Sequence, residues 1–196
     1  MGGEAQSGNL ATIDFISIGT TGNASDFGDL SAVKNGSALG SSTRAIQAGS
    51  TGPTTDVIEF VTISTAGDGT DFGNLSAAMQ PKAGASSNVR GLFFSAGTVT
   101  SDEVQYITIA SAGHTTDFGN LSAEVSVVSD AYASPTRALI GGGVLANNNR
   151  RNNIDYFTIA SAGNATDFGN LSVISDNGGA AGSNLRCVFS IGLDDS

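Results

Sequence analysis

The chain repeats one phrase four times. Ile13-Asp14-Phe15 leads to Asp26-Phe27-Gly28, and Ile58-Glu59-Phe60 leads to Asp71-Phe72-Gly73. Val104-Gln105-Tyr106 leads to Asp117-Phe118-Gly119, and Ile154-Asp155-Tyr156 to Asp167-Phe168-Gly169. The step from first apolar residue to aspartate is 13 in every copy, and the copies recur at intervals of 45, 46 and 50 residues. A period of about 40–50 residues belongs to propeller blades or to helix-pair solenoids. The local pattern chooses between them.

Leu-Ser follows each triplet (Leu30-Ser31, Leu75-Ser76, Leu121-Ser122, Leu171-Ser172), and 18 to 20 residues past each aspartate an arginine opens an apolar run. The arginines are Arg44, Arg90, Arg137 and Arg186. Such runs are short, β-branched or aromatic, and bounded by Gly, Ser, Asn and Thr, which marks strands. No window carries an apolar stripe of period 3.6 over a helical length. Each copy therefore predicts three clear strands, led by the arginine, by Ile-x-aromatic and by Asp-Phe-Gly. A fainter fourth lies in stretches of small residues such as Gly84-Ala85-Ser86. Tight hairpins are expected at Gly22-Asn23, Gly67-Asp68, Gly113-His114 and Gly163-Asn164, where Gly, Asn and Asp tolerate positive φ.

Ile58, Phe60, Val61 and Ile63 leave neither face of their strand wholly polar. A sheet covered on both sides wants that pattern. The expected fold is all-β: a four-bladed β-propeller of four-stranded antiparallel blades. It forms one domain over residues 1–196, with repeat anchors at 13–31, 58–76, 104–122 and 154–172. The first copy lacks its first two strands and the last copy holds an arginine-led run at 185–193. The ring is expected to close by pairing these N- and C-terminal half-blades within one chain, which removes open sheet edges. Pairing between chains, giving a larger ring or an array, is the alternative.

The strand order, with Gly-Gly ending a second strand at Gly141-Gly142-Gly143 and an aromatic in the third, resembles kelch-type propeller blades. The wording I-[DEQ]-[FY]-x-[ST]-I-x-x-x-G-x-x-[ST]-D-F-G-[ND]-L-S, followed by a T-R-x-h-x-x-G run, is similar to the repeat of tail and other virion proteins of marine phages, cyanophages included. That resemblance implies a non-enzymatic structural and interaction module of a phage particle. It would sit on tail, fibre or capsid, with other virion proteins as partners, self-association in the assembly, and a part in assembly or host-surface binding. A carbohydrate-binding propeller, with a host-surface glycan as ligand, is the second reading.

Composition narrows the field further. Only 13% of residues are charged, against roughly 25% in average proteins, and the formal net charge is −10. That balance argues against nucleic acid, whose phosphates need concentrated Lys and Arg. The sole cysteine, Cys187, excludes an intrachain disulfide and reads as a small buried hydrophobe in its apolar strand. Neither a signal peptide nor a membrane span is expected, since Met1 leads directly into blade sequence. Synthesis in a host cytoplasm followed by incorporation into a virion is the corresponding localisation.

The candidate sites divide into two groups. Asp26, Asp71, Asp117 and Asp167 occupy one repeated position, and Arg44, Arg90, Arg137 and Arg186 another, using four of only eight basic residues. The expected arrangement is a structural latch, one Asp–Arg pair per blade, neutralising charges that stacking partly buries. The Asp-Phe-Gly triplets are not a magnesium motif, because no nucleotide loop, strand lysine or His-Arg-Asp segment accompanies them. A calcium ring from Asp14, Glu59 and Asp155 is interrupted by Gln105, and no cofactor or metal is expected. No carboxylate dyad or nucleophile elbow emerges, so no catalytic residue is expected. The second group is a break in the repeat. Arg137 to Ile154 spans 17 residues where the two earlier copies span 14, and the surplus falls in Asn147-Asn148-Asn149-Arg150-Arg151-Asn152. Amides beside guanidinium groups, on a loop carried by a rigid scaffold, suit sugar hydroxyls or an acidic partner.

Overall fold

The computed structural model describes residues 3–5, 8–32, 34–95, 100–128, 130–176 and 178–190. Among these residues there is no helix, and nineteen strands run through the chain. A short hairpin, β1 (Gly3–Ala5) and β2 (Gly8–Leu10), precedes β3 (Thr12–Phe15) and β4 (Ser25–Asp29). The second unit is β5 (Ser37–Gly40), β6 (Arg44–Thr51), β7 (Thr54–Thr62) and β8 (Thr70–Asn74). The third is β9 (Ala83–Ser86), β10 (Arg90–Phe94), β11 (Ser101–Thr108) and β12 (Thr116–Val127). The fourth comprises β13 (Asp130–Ala133), β14 (Arg137–Gly141), β16 (Asn153–Thr158) and β17 (Thr166–Asn170), interrupted by the short β15 (Val144–Leu145). A final pair is β18 (Gly179–Gly182) and β19 (Cys187–Ser190).

Each complete unit is an antiparallel meander in chain order, β5-β6-β7-β8, β9-β10-β11-β12 and β13-β14-β16-β17. The register repeats as the residues do. Ile46 faces Phe60, Leu92 faces Tyr106, and Leu139 faces Tyr156. One β-bulge recurs between the third and fourth strands, at Ile13/Asp14, Ile58/Glu59, Val104/Gln105 and Ile154/Asp155. The extra residue is on the fourth strand each time, Phe27, Phe72, Phe118 or Phe168, so it is the Asp-Phe-Gly strand that the bulge bends.

The core consists of layers between units rather than of unit interiors. Leu92 and Phe94 of β10 pack with Ala138, Ile140 and Phe157 of the fourth unit. Phe93, between them in sequence, packs with Ile46, Ile58 and Phe72 of the second. Alternation along a strand thus sends neighbouring side chains to opposite seams, which is why no face reads as polar. Ile13, Phe27, Leu30 and Val61 fill the first seam in the same way. Within each unit the two repeated aromatics meet edge to face. The pairs are Phe15–Phe27, Phe60–Phe72, Tyr106–Phe118 and Tyr156–Phe168, with centroids 5.6–6.1 Å apart.

The faint strand of each copy is present, at one edge of its sheet. β5, β9, β13 and β18 lie side by side in succession, and Ser37, Ala38, Ala83, Gly84, Ala131 and Ala180 border one open cavity of about 320 Å³. Small residues are required there. A Cβ on Gly84 would stand 2.7 Å from Ser37 Oγ. The half-units are hydrogen-bonded sheets of their own, β3-β4 and β18-β19, and among the described residues no ladder joins β3 to β19.

Candidate functional site

Every seam is held by the same four hydrogen bonds. At the first, Gly67 N–H donates to Phe27 C=O (2.7 Å) and Gly69 N–H to Asp29 C=O (2.7 Å). Asp29 N–H donates to Asp68 Oδ1 (3.0 Å) and Ser31 N–H to Glu59 Oε1 (2.9 Å). The second seam substitutes Gly113, Thr115, His114 and Gln105, donating to or accepting from Phe72, Asn74 and Ser76. The third uses Gly163, Ala165, Asn164 and Asp155 against Phe118, Asn120 and Ser122. The hairpin tip therefore grips the outer strand of the preceding unit, and the third-strand acid or amide caps that unit's Leu-Ser. Glycine in Asp-Phe-Gly follows from this grip. Gly28, Gly73 and Gly119 have φ of +146°, +146° and +141°, and a Cβ on each would lie 2.3–2.5 Å from the carbonyl oxygen of Gly67, Gly113 or Gly163. Only glycine tolerates both the φ and the approach.

Of the third-strand acids read from sequence as an interrupted calcium ring, Glu59 and Asp155 are buried parts of the seams, with their charge matched seam by seam, while Asp14 is exposed. Glu59, 2% exposed, is ion-paired with the equally buried Lys34. Burial alone would raise the Glu59 pKa, but hydrogen bonds from Lys34 and Ser31 and the Lys34 charge outweigh it and hold the carboxyl below its ordinary range. One unit on, Gln105 stands where Glu59 stood, and Met79, four residues past Leu75, stands where Lys34 follows Leu30. A neutral group has a neutral neighbour: Gln105 Nε2 donates to Ser95 Oγ (3.0 Å) and lies 4.0 Å from Met79 Sδ. At the third seam the acid returns as Asp155, and its cation comes from elsewhere, with Arg151 Nη2 3.2 Å from Asp155 Oδ2. The sequence signal for this network was the Lys34–Met79 exchange accompanying Glu59–Gln105.

The repeated arginines and aspartates do not pair with each other among the described residues. Arg44, Arg90 and Arg137 instead lie over the third-strand rings of Phe60, Tyr106 and Tyr156, 4.3–4.8 Å from the centroids. Arg44 Nη1 also donates to Ile109 C=O (2.8 Å) and Arg90 Nη1 to Ile159 C=O (3.0 Å), each in the following unit. Asp26, Asp71, Asp117 and Asp167 are exposed, and Asp117 and Asp167 turn back to their own strands, accepting from Gly119 N–H (3.1 Å) and Gly169 N–H (3.0 Å). The expected Asp–Arg latch is thus replaced by a cation–π and carbonyl latch, because the aromatic ring provides the nearer surface for a flat guanidinium. Arg90→Met should lower stability by about 2 kcal/mol, the sum of a cation–π contact and one charged hydrogen bond. Urea unfolding reads this, and an unchanged midpoint would remove the latch.

The Asn/Arg loop is partly structural. The residues just before it form β15, which adds to the neighbouring sheet by pairing Val144 and Leu145 with Val127 and Val125 of β12. Arg151 is buried, its Nε donating to Gly142 C=O (2.9 Å) and its Nη1 to Ser122 Oγ (3.3 Å). Arg150 Nε lies 2.9 Å from Asp176 Oδ2, and Asn152 Nδ2 donates to Leu171 C=O (3.3 Å). Asn147, Asn148 and Asn149 remain exposed at the turn, with Asn148 at φ 65°. The guanidinium groups expected to meet a ligand therefore serve the fold, and three amides are left facing outward. Cys187 is partly exposed, not buried as its strand suggested, and desolvation raises its thiol pKa. Among the described residues no cluster of three or more His, Cys, Asp or Glu is arranged to hold a metal ion. No protein-family model matches the chain, and no curated protein matches it.

Proposed function

We propose that this chain is a non-enzymatic structural and interaction module of a phage virion, associated with tail, fibre or capsid. Its units are propeller blades, four in all once the two half-blades complete one another. The observation that carries the reading is how the repeated residues are used. Third-strand acid or amide, ring, arginine, hairpin Gly, the Phe-Gly of Asp-Phe-Gly and Leu-Ser hold one unit to itself or to the next, so the repeated positions serve as scaffold. Four edge strands around one cavity support the propeller. The likeness of the repeat to virion proteins of marine phages supports the particle.

Copurification tests the role. Antibody against this chain should label intact, gradient-purified particles and cap or decorate one structural feature. Chain found only in the soluble lysate fraction would reject it. A second reading, glycan binding, is favoured by the three outward amides of Asn147, Asn148 and Asn149, since amides suit sugar hydroxyls. Glycan-array binding lost on replacing all three by alanine would establish it.

A further inference from the structure

The described chain carries both halves of one further seam, uncovered. On one face, Phe168 is 54% exposed where Phe27, Phe72 and Phe118 are at most 8% exposed. Gly169 keeps φ +135°, yet a Cβ there would meet nothing within 4 Å. Phe168 C=O, Asn170 C=O, Asn170 N–H and Ser172 N–H are the groups that every internal seam uses, and here no cross-seam partner meets them among the described residues. Arg137 lies over Tyr156 but, among the described residues, meets no carbonyl of a following unit. An apolar groove of about 460 Å³ runs beside it, bordered by Leu139, Ile154, Phe168, Leu185, Val188 and Phe189.

The opposite face presents the complement. Gly22, Asn23 and Ala24 align with Gly67, Asp68 and Gly69, and exposed Asp14 aligns with Glu59. Phe15 is an aromatic without an arginine over it among the described residues, and Arg186 is an arginine without a ring. Ile18 is 98% exposed and Ile63 47%, whereas Ile109 and Ile159, whose carbonyls take the arginines of the preceding unit, are at most 2% exposed. A second cavity of about 270 Å³, bordered by Ile13, Phe15, Ile16, Ala45, Val61 and Ile63, lies where an arginine-led strand belongs.

We infer that these two faces bind each other between copies of this chain, head to tail. The N-terminal half-unit of a second copy seats on Phe168–Ser172, and β19 pairs with the second copy's β3. Continuity with three internal seams sets the register. Since Arg44 faces Thr62 and Ala45 faces Val61, Arg186 faces Ser17, Cys187 faces Ile16 and Val188 faces Phe15 across copies. Asn23 Oδ1 then accepts from Asn170 N–H, Asp14 from Ser172 N–H, and Phe15 lies under Arg186. Arg137 reaches the carbonyl of Ile18. Both unpaired edges are satisfied at once, and such heterologous contacts extend until they close or form a series. This rests on the blade reading above and puts a second copy in place of closure within one chain, because among the described residues no ladder joins β3 to β19 of the same chain.

The test uses the single native thiol. Full-length chain carrying Ile16→Cys is treated with a short bis-maleimide, beside wild type and an Asn23→Cys control whose thiol is off register. The expected result is loss of most of the monomer band to linked dimer and larger species in Ile16→Cys alone. Linkage confined to one chain would overturn the second copy and leave the propeller reading standing. Absence of linkage, or equal linkage in Asn23→Cys, would overturn both the register and half-blade pairing.

Discussion

Lys34→Met is expected to destabilise the chain by about 3–4 kcal/mol at pH 7. The replacement fits, since Met79 fills the equivalent place one unit on. What it removes is the cation beside Glu59, a carboxylate that is 2% exposed. A buried charge left alone costs about 3–5 kcal/mol. Protonation limits the loss, because bringing a carboxyl of pKa about 4.3 to neutrality at pH 7 costs roughly 3.7 kcal/mol. Acid should therefore narrow the difference from both sides. In wild type the depressed Glu59 pKa contributes stability above the unfolded value that is lost as pH falls through the folded one. In the variant the folded pKa is raised, so stability is fully present below the unfolded value and lost as pH rises through the folded value. The double change Lys34→Met with Glu59→Gln recreates the Gln105–Met79 seam and should recover most of the loss. About 1 kcal/mol should remain, because Gly49 stands where Ser95 accepts from the Gln105 amide. Urea midpoints from pH 4 to 8 measure all of this. A single variant as stable as wild type at pH 7 would show that the pair contributes nothing.

Much of the fold was legible because the repeat reports its own structure. Three strands per copy followed from apolar runs, and the fourth from small residues, since strands lying side by side this closely have no room for large ones. What sequence could not reveal was which repeated residue meets which. Asp71 and Arg90 look like an ion pair on paper because opposite charges recur in step. In the structure Asp71 faces solvent and Arg90 lies over the nearer ring of Tyr106. The Asn/Arg loop was misleading for a related reason: a basic pair in an acidic chain suggests a ligand, yet Asp155 and Asp176 occupy both guanidinium groups. Half-blade pairing was argued from matching strands alone. The structure adds the individual donors and acceptors left uncovered on each face.

The second large effect belongs to the glycine of Asp-Phe-Gly. Gly119→Ala places a Cβ 2.4 Å from Gly163 C=O at φ +141°. The backbone conformation alone costs about 1–3 kcal/mol, and separating the seam to relieve the clash also loses the hydrogen bonds and apolar contacts along it. A total of about 4 kcal/mol or more is expected, among the largest single-residue effects. Gly169→Ala, at φ +135° with open space around it, should lose only the conformational part. Urea unfolding of the two variants, at protein concentrations low enough to keep the chain monomeric, tests most directly the claim that one seam, repeated, holds the molecule together. The account predicts a midpoint for Gly119→Ala well below that of Gly169→Ala. Equal midpoints would contradict it.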